Sequence, residues 1–216
     1  MMPVRKIPKN YRNVTGRAAS DKAEGTAAFE STLERDFITL LEFSPQVKGF
    51  EVQPVTINWI DDKGLSRHYT PDVLVHYFTA GMLPELVEVK YRQDLERYWI
   101  ELKPRLKAGV RFARTQGWRF KIMSELEIRT PLLNNARFLL PFLRNGPQSE
   151  ANMELLYSRL RQLGPSTPQS LTTAIFQDEW HRAQLIPTLW YLIAKRIISV
   201  DLDQPVTMTS NIWYKP

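Results

Sequence analysis

The chain has 216 residues, 43% of them hydrophobic, which is enough apolar material for one large or two small folded domains and argues against broad disorder. Its formal net charge of +6 favours polyanionic partners, nucleic acid or an anionic membrane surface. Cysteine is absent, which excludes disulfides and thiolate metal sites; three histidines (His68, His76 and His181) make zinc unexpected, and a carboxylate site for Mg2+ or Mn2+ stays open. No run of about 18 apolar residues occurs, so no transmembrane helix and no membrane partner is expected. The first sixteen residues are charged and polar and lack the apolar centre of a secretory signal, so the expected location is cytoplasmic.

Residues 1–26 carry Arg5, Lys6, Lys9, Arg12, Arg17 and Lys22 among few apolar residues. They read as a basic arm, either simply solvated or following DNA phosphates. Phe29, Leu33, Phe37, Leu40 and Leu41 recur at steps of four and three, which predicts a helix over residues 29–43 that Ser44-Pro45 stops. Phe50, Val52, Val55, Ile57, Trp59 and Ile60 mark one or two strands. Asp61-Asp62-Lys63-Gly64 is a turn, so residues 65–70 return as the second arm of a hairpin. Two further strands are expected over residues 72–78 and 86–91, joined by a loop at 79–84. Beyond Tyr91 the period changes: Trp99, Leu102, Leu106, Val110 and Ala113 predict a helix, broken at Pro104 and ended by Gly117, and residues 119–123 form a short strand. Helix, strands, helix, strand is the order of an α/β core with a mixed sheet, here assigned to residues 27–128.

A boundary falls near residues 127–131. Helices are predicted over 132–143, 151–163, 170–176 and 179–195, with Ser149 and Thr167 as caps. Residues 197–202 and 206–213, around Asp203-Gln204-Pro205, are expected to pair as a terminal hairpin. Helices followed by a hairpin suggest a smaller, winged-helix-like module over residues 129–216.

Three pieces carry candidate chemistry: Glu34 on the first helix, Pro71-Asp72 entering a strand, and Glu88-Val89-Lys90 on the next strand. Glu88 and Lys90 are two apart and share a strand face, while Val87 and Val89 point to the other. If the two strands pair, Asp72 and Glu88 meet at one edge of the sheet, within reach of a helix carrying Glu34. Carboxylates beside a lysine suit phosphodiester hydrolysis. The acids hold one or two Mg2+ ions that activate water and balance the leaving oxygen, and the lysine orients water and offsets charge. Each residue also has a plainer reading: Glu34 as a solvated helix residue, Asp72 as a turn cap, Lys90 as an edge-strand lysine that blocks aggregation. Glu101 and Glu125 read as surface acids, and His68 and His76 as structural or DNA-proximal. Lys103, Arg105, Lys107, Arg111 and Arg114 form a basic series on the second helix, either a solvated face or a phosphate contact.

The pattern resembles the restriction-endonuclease-like nucleases and, more narrowly, TnsA, the nuclease subunit of heteromeric transposases. The resembling stretches are Arg17-Ala18-Ala19-Ser20-Asp21-Lys22, Phe29-Glu30-Ser31-Thr32-Leu33-Glu34-Arg35-Asp36-Phe37, Leu41-Glu42-Phe43, Gln53-Pro54, Tyr69-Thr70-Pro71-Asp72, Glu88-Val89-Lys90 and Gly117-Trp118-Arg119-Phe120. The resemblance implies a Mg2+-dependent endodeoxyribonuclease, with Mn2+ able to substitute, that cuts the 5′ ends of a transposon. A DDE-type, TnsB-like transposase cuts and joins the 3′ ends, and an AAA+, TnsC-like ATPase contacts the C-terminal region. By the same resemblance Glu34, Asp72 and Lys90 are catalytic, Glu34, Asp72 and Glu88 are metal ligands, and Gln53 lies near the site. Two other readings stay open: a non-catalytic adaptor binding DNA and a partner, and a stand-alone repair nuclease of the same fold.

Overall fold

The computed structural model describes residues 14–214, which form two compact units, residues up to Ile128 and residues from Arg129. Part of the predicted basic arm, residues 1–13, lies outside the described residues. In the first unit, short strands β1 (Gly16–Arg17) and β2 (Ala28–Phe29) precede helix α1 (Thr32–Phe43). Strands β3 (Val47–Val52), β4 (Ile57–Ile60), β5 (Ser66–Tyr69), β6 (Val73–Tyr77) and β7 (Glu85–Val89) follow. Helices α2 (Arg92–Arg97) and α3 (Trp99–Thr115), strand β8 (Arg119–Met123) and the short helix α4 (Glu125–Ile128) complete the unit.

The main sheet has the order β3-β6-β7-β8, antiparallel at its first two junctions and parallel at the last. This is an α/β architecture with a restriction-endonuclease-like mixed sheet. Alternation splits the strand residues between two apolar layers. Val73, Val75, Val87 and Val89 pack with Leu33, Phe37, Ile38 and Leu41 of α1. Leu74 and Leu86 point the other way and pack with Ile57, Tyr69 and α3 residues Ala108 and Ala113. Burial of each such side chain is worth about 1.5–3 kcal/mol. Together they fix the strand register, since a one-residue slip would send every valine to the wrong layer.

Residues 50–60 are two strands rather than one. Gln53 takes a left-handed backbone conformation (φ 52°) just before Pro54, and β4 and β5 pair as a separate hairpin around the Asp61–Gly64 turn. Asp61 closes that turn by accepting the Lys63 and Leu65 N–H groups. The predicted break at Pro104 is absent: α3 runs through it, and the discontinuity falls at Tyr98. The carbonyl that Pro104 leaves without a helical donor belongs to Ile100, a residue that is 88% exposed, so water can serve it.

The described part of the expected arm is tied down. The Lys22 carbonyl accepts the Phe50 N–H at 3.1 Å, the Phe50 carbonyl accepts the Glu24 N–H at 2.8 Å, and the segment thereby lines the outer edge of β3. The Lys22 ammonium donates to the Ser44 and Leu41 carbonyls at the end of α1, where the helix dipole favours a cation. Ser20 and the Asp21 N–H both donate to the buried Glu42 carboxylate.

The second unit holds α5 (Pro131–Asn145), α6 (Glu150–Leu163), α7 (Pro168–Ile175) and α8 (Glu179–Ala194), then an antiparallel pair of β9 (Ile198–Val200) and β10 (Ile212–Tyr214). Ser149 and Thr167 cap α6 and α7 as predicted. The last strand is shorter than expected, because residues 201–211 make other bonds. Asn135 donates to the Leu202 and Gln204 carbonyls and accepts from the Val206 N–H, and Thr207 and Ser210 form a local hydroxyl turn.

One glycine sets how closely α3 approaches the sheet. A Cβ on Gly109 would lie 2.6 Å from the Phe120 ring and 3.1 Å from that of Tyr69. Gly109→Ala is therefore expected to lower stability by about 1–3 kcal/mol despite alanine's better helix propensity. Chemical denaturation of the variant and the parent chain measures the difference.

Candidate active site

The β6–β7 ladder pairs Val73 with Val87; continuing the register by one residue sets Asp72 across from Glu88. On its other side Asp72 is held by a backbone bond, its carbonyl accepting the Gln53 N–H at 2.8 Å. The Gln-Pro motif thus borders the site through its main chain, while the exposed Gln53 side chain donates to Glu30 at 3.2 Å. Beyond the last β6–β7 pair, the Val89 N–H donates to the Asp72 carboxylate at 2.6 Å. Pro71 in front of Asp72 and the end of the ladder behind it leave this carboxylate at the margin of the sheet, half-buried.

Glu88 is only 2% exposed. The Tyr69 hydroxyl donates to its Oε2 at 2.6 Å, and Oε1 faces the Lys90 ammonium at 3.5 Å and the Arg105 guanidinium at 3.4 Å. Lys90 therefore shares the Glu88 face, as the two-residue spacing predicts. Its own N–H donates to the Met123 carbonyl at 3.0 Å, which ties the Glu88-Val89-Lys90 stretch to β8.

Glu34 sits in the first turn of α1, half-buried, and its oxygens are engaged: Oε1 accepts the Ser31 hydroxyl and Oε2 the Glu30 N–H, both at 2.8 Å. The Ser31 hydroxyl also accepts the Glu34 N–H and so caps α1, while the Glu34 carboxylate reaches back to the N–H of Glu30, one residue before the cap, instead of to the Ser31 N–H of a full capping box. Each oxygen keeps a further lone pair, so the cap and a ligand role are compatible.

Electrostatics couples the three acids through their repulsion. Burial pushes the Asp72 carboxyl well above the ordinary carboxylate range. The charge of Glu88 adds to this and that of Glu34 adds a little more, against the Val89 N–H and Lys90, which favour the ionised form. Burial, with Glu88 next to it, also drives the Tyr69 hydroxyl up, so it stays a donor.

Other residues singled out from the sequence lie elsewhere. His76 stands four residues along β6, 3.6 Å from Glu51, and His68 is exposed on β5 opposite Asn58. Glu125 accepts the Arg92 N–H at 2.8 Å, and Glu101 is exposed on α3. The basic series on α3 divides: Arg105 turns toward Glu88 with its guanidinium 5.6 Å from the Tyr69 ring, whereas Lys103, Lys107, Arg111 and Arg114 are exposed. Tyr69 and Arg105 are thus the contributors that the sequence reading missed. Helical spacing held the signal for Arg105, since it falls off the stripe that its four basic neighbours share.

Among the described residues, no group of three or more His, Cys, Asp or Glu side chains is placed to hold a metal ion. Mg2+ does not require one: it keeps several waters and takes one or two protein carboxylates together with phosphate oxygens. Asp72 and Glu88 are such a pair, all oxygen, one half-buried and the other buried, and carrying mutual repulsion that a divalent cation relieves. The donor set therefore fits the ion.

That repulsion gives a test without metal. A carboxyl with a raised folded-state value binds its proton more tightly folded than unfolded. Stability then falls as pH rises from the ordinary carboxylate range through the raised value. Asp72→Asn keeps the acceptor for Val89 and removes this loss. In EDTA, melting curves from about pH 4 to about pH 8 should show the variant gaining on the parent as pH rises, by about 2–4 °C for each kcal/mol.

The sequence matches two family models. One, described as TnsA-like endonuclease N terminal, matches residues 44–125, and the other, TnsA endonuclease C terminal, matches residues 127–202. No curated protein matches the chain. Asp72, Glu88 and Lys90 fall inside the first matched range, and Glu34 precedes it. With both halves matched in order and a mixed α/β core followed by helices, the chain belongs to the TnsA family of transposition endonucleases.

Proposed function

We propose that the chain is a Mg2+-dependent DNA endonuclease that cuts the 5′ ends of a transposon, working with a DDE-type transposase subunit and an AAA+ regulator that contacts the C-terminal unit. The observation that carries the catalytic part is the opposition of Asp72 and Glu88 across two paired strands, with Lys90 on the Glu88 face. Asp72 and Glu88 would hold the ion, with Glu34 within electrostatic reach of Asp72. When bound, the ion supplies Lewis-acid activation of water and charge balance on the phosphate.

The protein's own groups do the rest. Tyr69 and Arg105 fix the orientation of the Glu88 carboxylate, one oxygen each. The Val89 N–H fixes that of Asp72. Lys90 presents a compact, half-buried ammonium that orients the attacking water and offsets negative charge as it develops. Glu34, by accepting the Ser31 hydroxyl and the Glu30 N–H, fixes the first turn of α1.

In a reaction reconstituted with the transposase and the ATPase, strand-specific nicking at the 5′ ends should require Mg2+ or Mn2+ and stop in EDTA. Asp72→Ala and Lys90→Ala should each lower the nicking rate by about 10²-fold or more while melting cooperatively. Wild-type nicking by the Asp72→Ala protein would remove the assignment and leave the adaptor reading.

A further inference from the structure

The second face of α3 has no part in the candidate site. Lys103, Lys107 and Arg111 follow one another at four-residue steps on its exposed side, and among the described residues none of them pairs with a carboxylate. They line one wall of a cleft of about 490 Å³ whose opposite wall is the β4–β5 hairpin. Beside these cations the cleft exposes apolar surface: Ile100 is 88% exposed, Ile60 72% and Trp99 46%. Asp61 and Asp62 also border it, but the Asp61 carboxylate is taken by its own turn and by Arg67 at 2.9 Å. Trp59, a further lining residue, has a buried indole N–H with no acceptor.

Cations alone suit any polyanion. Cations interleaved with an exposed indole and two aliphatic side chains suit a polyanion that also has flat apolar faces to offer. A duplex hides its base faces and presents phosphates; an unpaired strand presents both, and basic grooves with aromatic platforms hold such strands with little sequence preference. The shared framework favours DNA over another anion, because the same helix and hairpin that line the cleft also send Arg105 and Tyr69 to Glu88.

We propose that the cleft between the β4–β5 hairpin and α3 holds an unpaired stretch of the DNA strand that flanks the cut. Phosphates rest on Lys103, Lys107 and Arg111, and a base stacks on Trp99. The proposal rests on the endonuclease reading, and its test runs without cleavage.

The full chain is titrated in EDTA against a dye-labelled oligothymidylate of about 20 nucleotides and a duplex of equal length, over a range of salt concentrations. The Lys103→Ser/Lys107→Ser/Arg111→Ser variant should flatten the dependence of log Kd on log salt for the single strand by about 2, three charges at ~0.7 each. Trp99→Leu should weaken single-strand binding about tenfold at every salt concentration and leave the duplex unchanged. Melting curves like the parent's show that both variants fold. An unchanged slope, an equal effect of Trp99→Leu on the duplex, or a parent chain that binds polyglutamate but not the oligonucleotide overturns the proposal, the last in favour of an acidic protein segment. Asp72→Ala separates the two readings. Normal strand binding with undiminished nicking by that variant removes the endonuclease assignment and keeps the cleft, whereas failed binding tests with Asp72-dependent nicking do the reverse.

Discussion

Two carboxylates that repel each other across one pair of strands are the constraint around which the first unit is organised. Neither Asp72 nor Glu88 would choose this position on local grounds, since burying like charges together is unfavourable and Asp72 shows it in its strained ionisation. The arrangement persists because the neighbouring residues in the same strands have no alternative. Val73, Val75, Val87 and Val89 gain a shared apolar layer only in this register, and that register sets the acids opposite each other. Core packing thus supplies the stability that holds an unfavourable electrostatic arrangement in place, which is the usual relation between a scaffold and a site.

The other layer does a different task. Leu74 and Leu86 seat α3, Gly109 lets it lie close against Phe120 and Tyr69, and Arg105 of the same helix reaches Glu88. The hairpin of β4 and β5, separate from the main sheet by its hydrogen bonds, delivers Tyr69 to Glu88 and forms a wall of the cleft. One helix and one hairpin therefore serve both the buried acid and the exposed basic surface.

Much of this was legible in order and type. Period-two and period-3.6 patterns locate α1, the central strands and the C-terminal helices, turn-forming residues locate Asp61–Gly64, and the Asp72, Glu88 and Lys90 spacing places those residues on adjacent strands. What escaped depended on partners distant in sequence. Tyr69 looks like any core aromatic until Glu88, nineteen positions on, is seen to take its hydroxyl. Arg105 was hidden among five basic residues. Glu34 reads as ligand or solvated acid, and the Ser31-x-x-Glu34 spacing also carries its local work at the start of α1, where the two residues bond to each other. The shortened final strand reflects Asn135, more than sixty residues upstream, claiming the backbone of the loop.

The segment threaded along β3 has a practical meaning for handling the protein. An outer strand with free N–H and C=O groups is a template for pairing with another molecule, and here residues 22–24 fill that position while Lys22 anchors the strap to the end of α1. A shortened chain that begins after residue 26, where composition alone would cut, would uncover the strand and strip a helix of its terminal cation. Such a fragment would be prone to self-association for reasons unrelated to its catalytic residues.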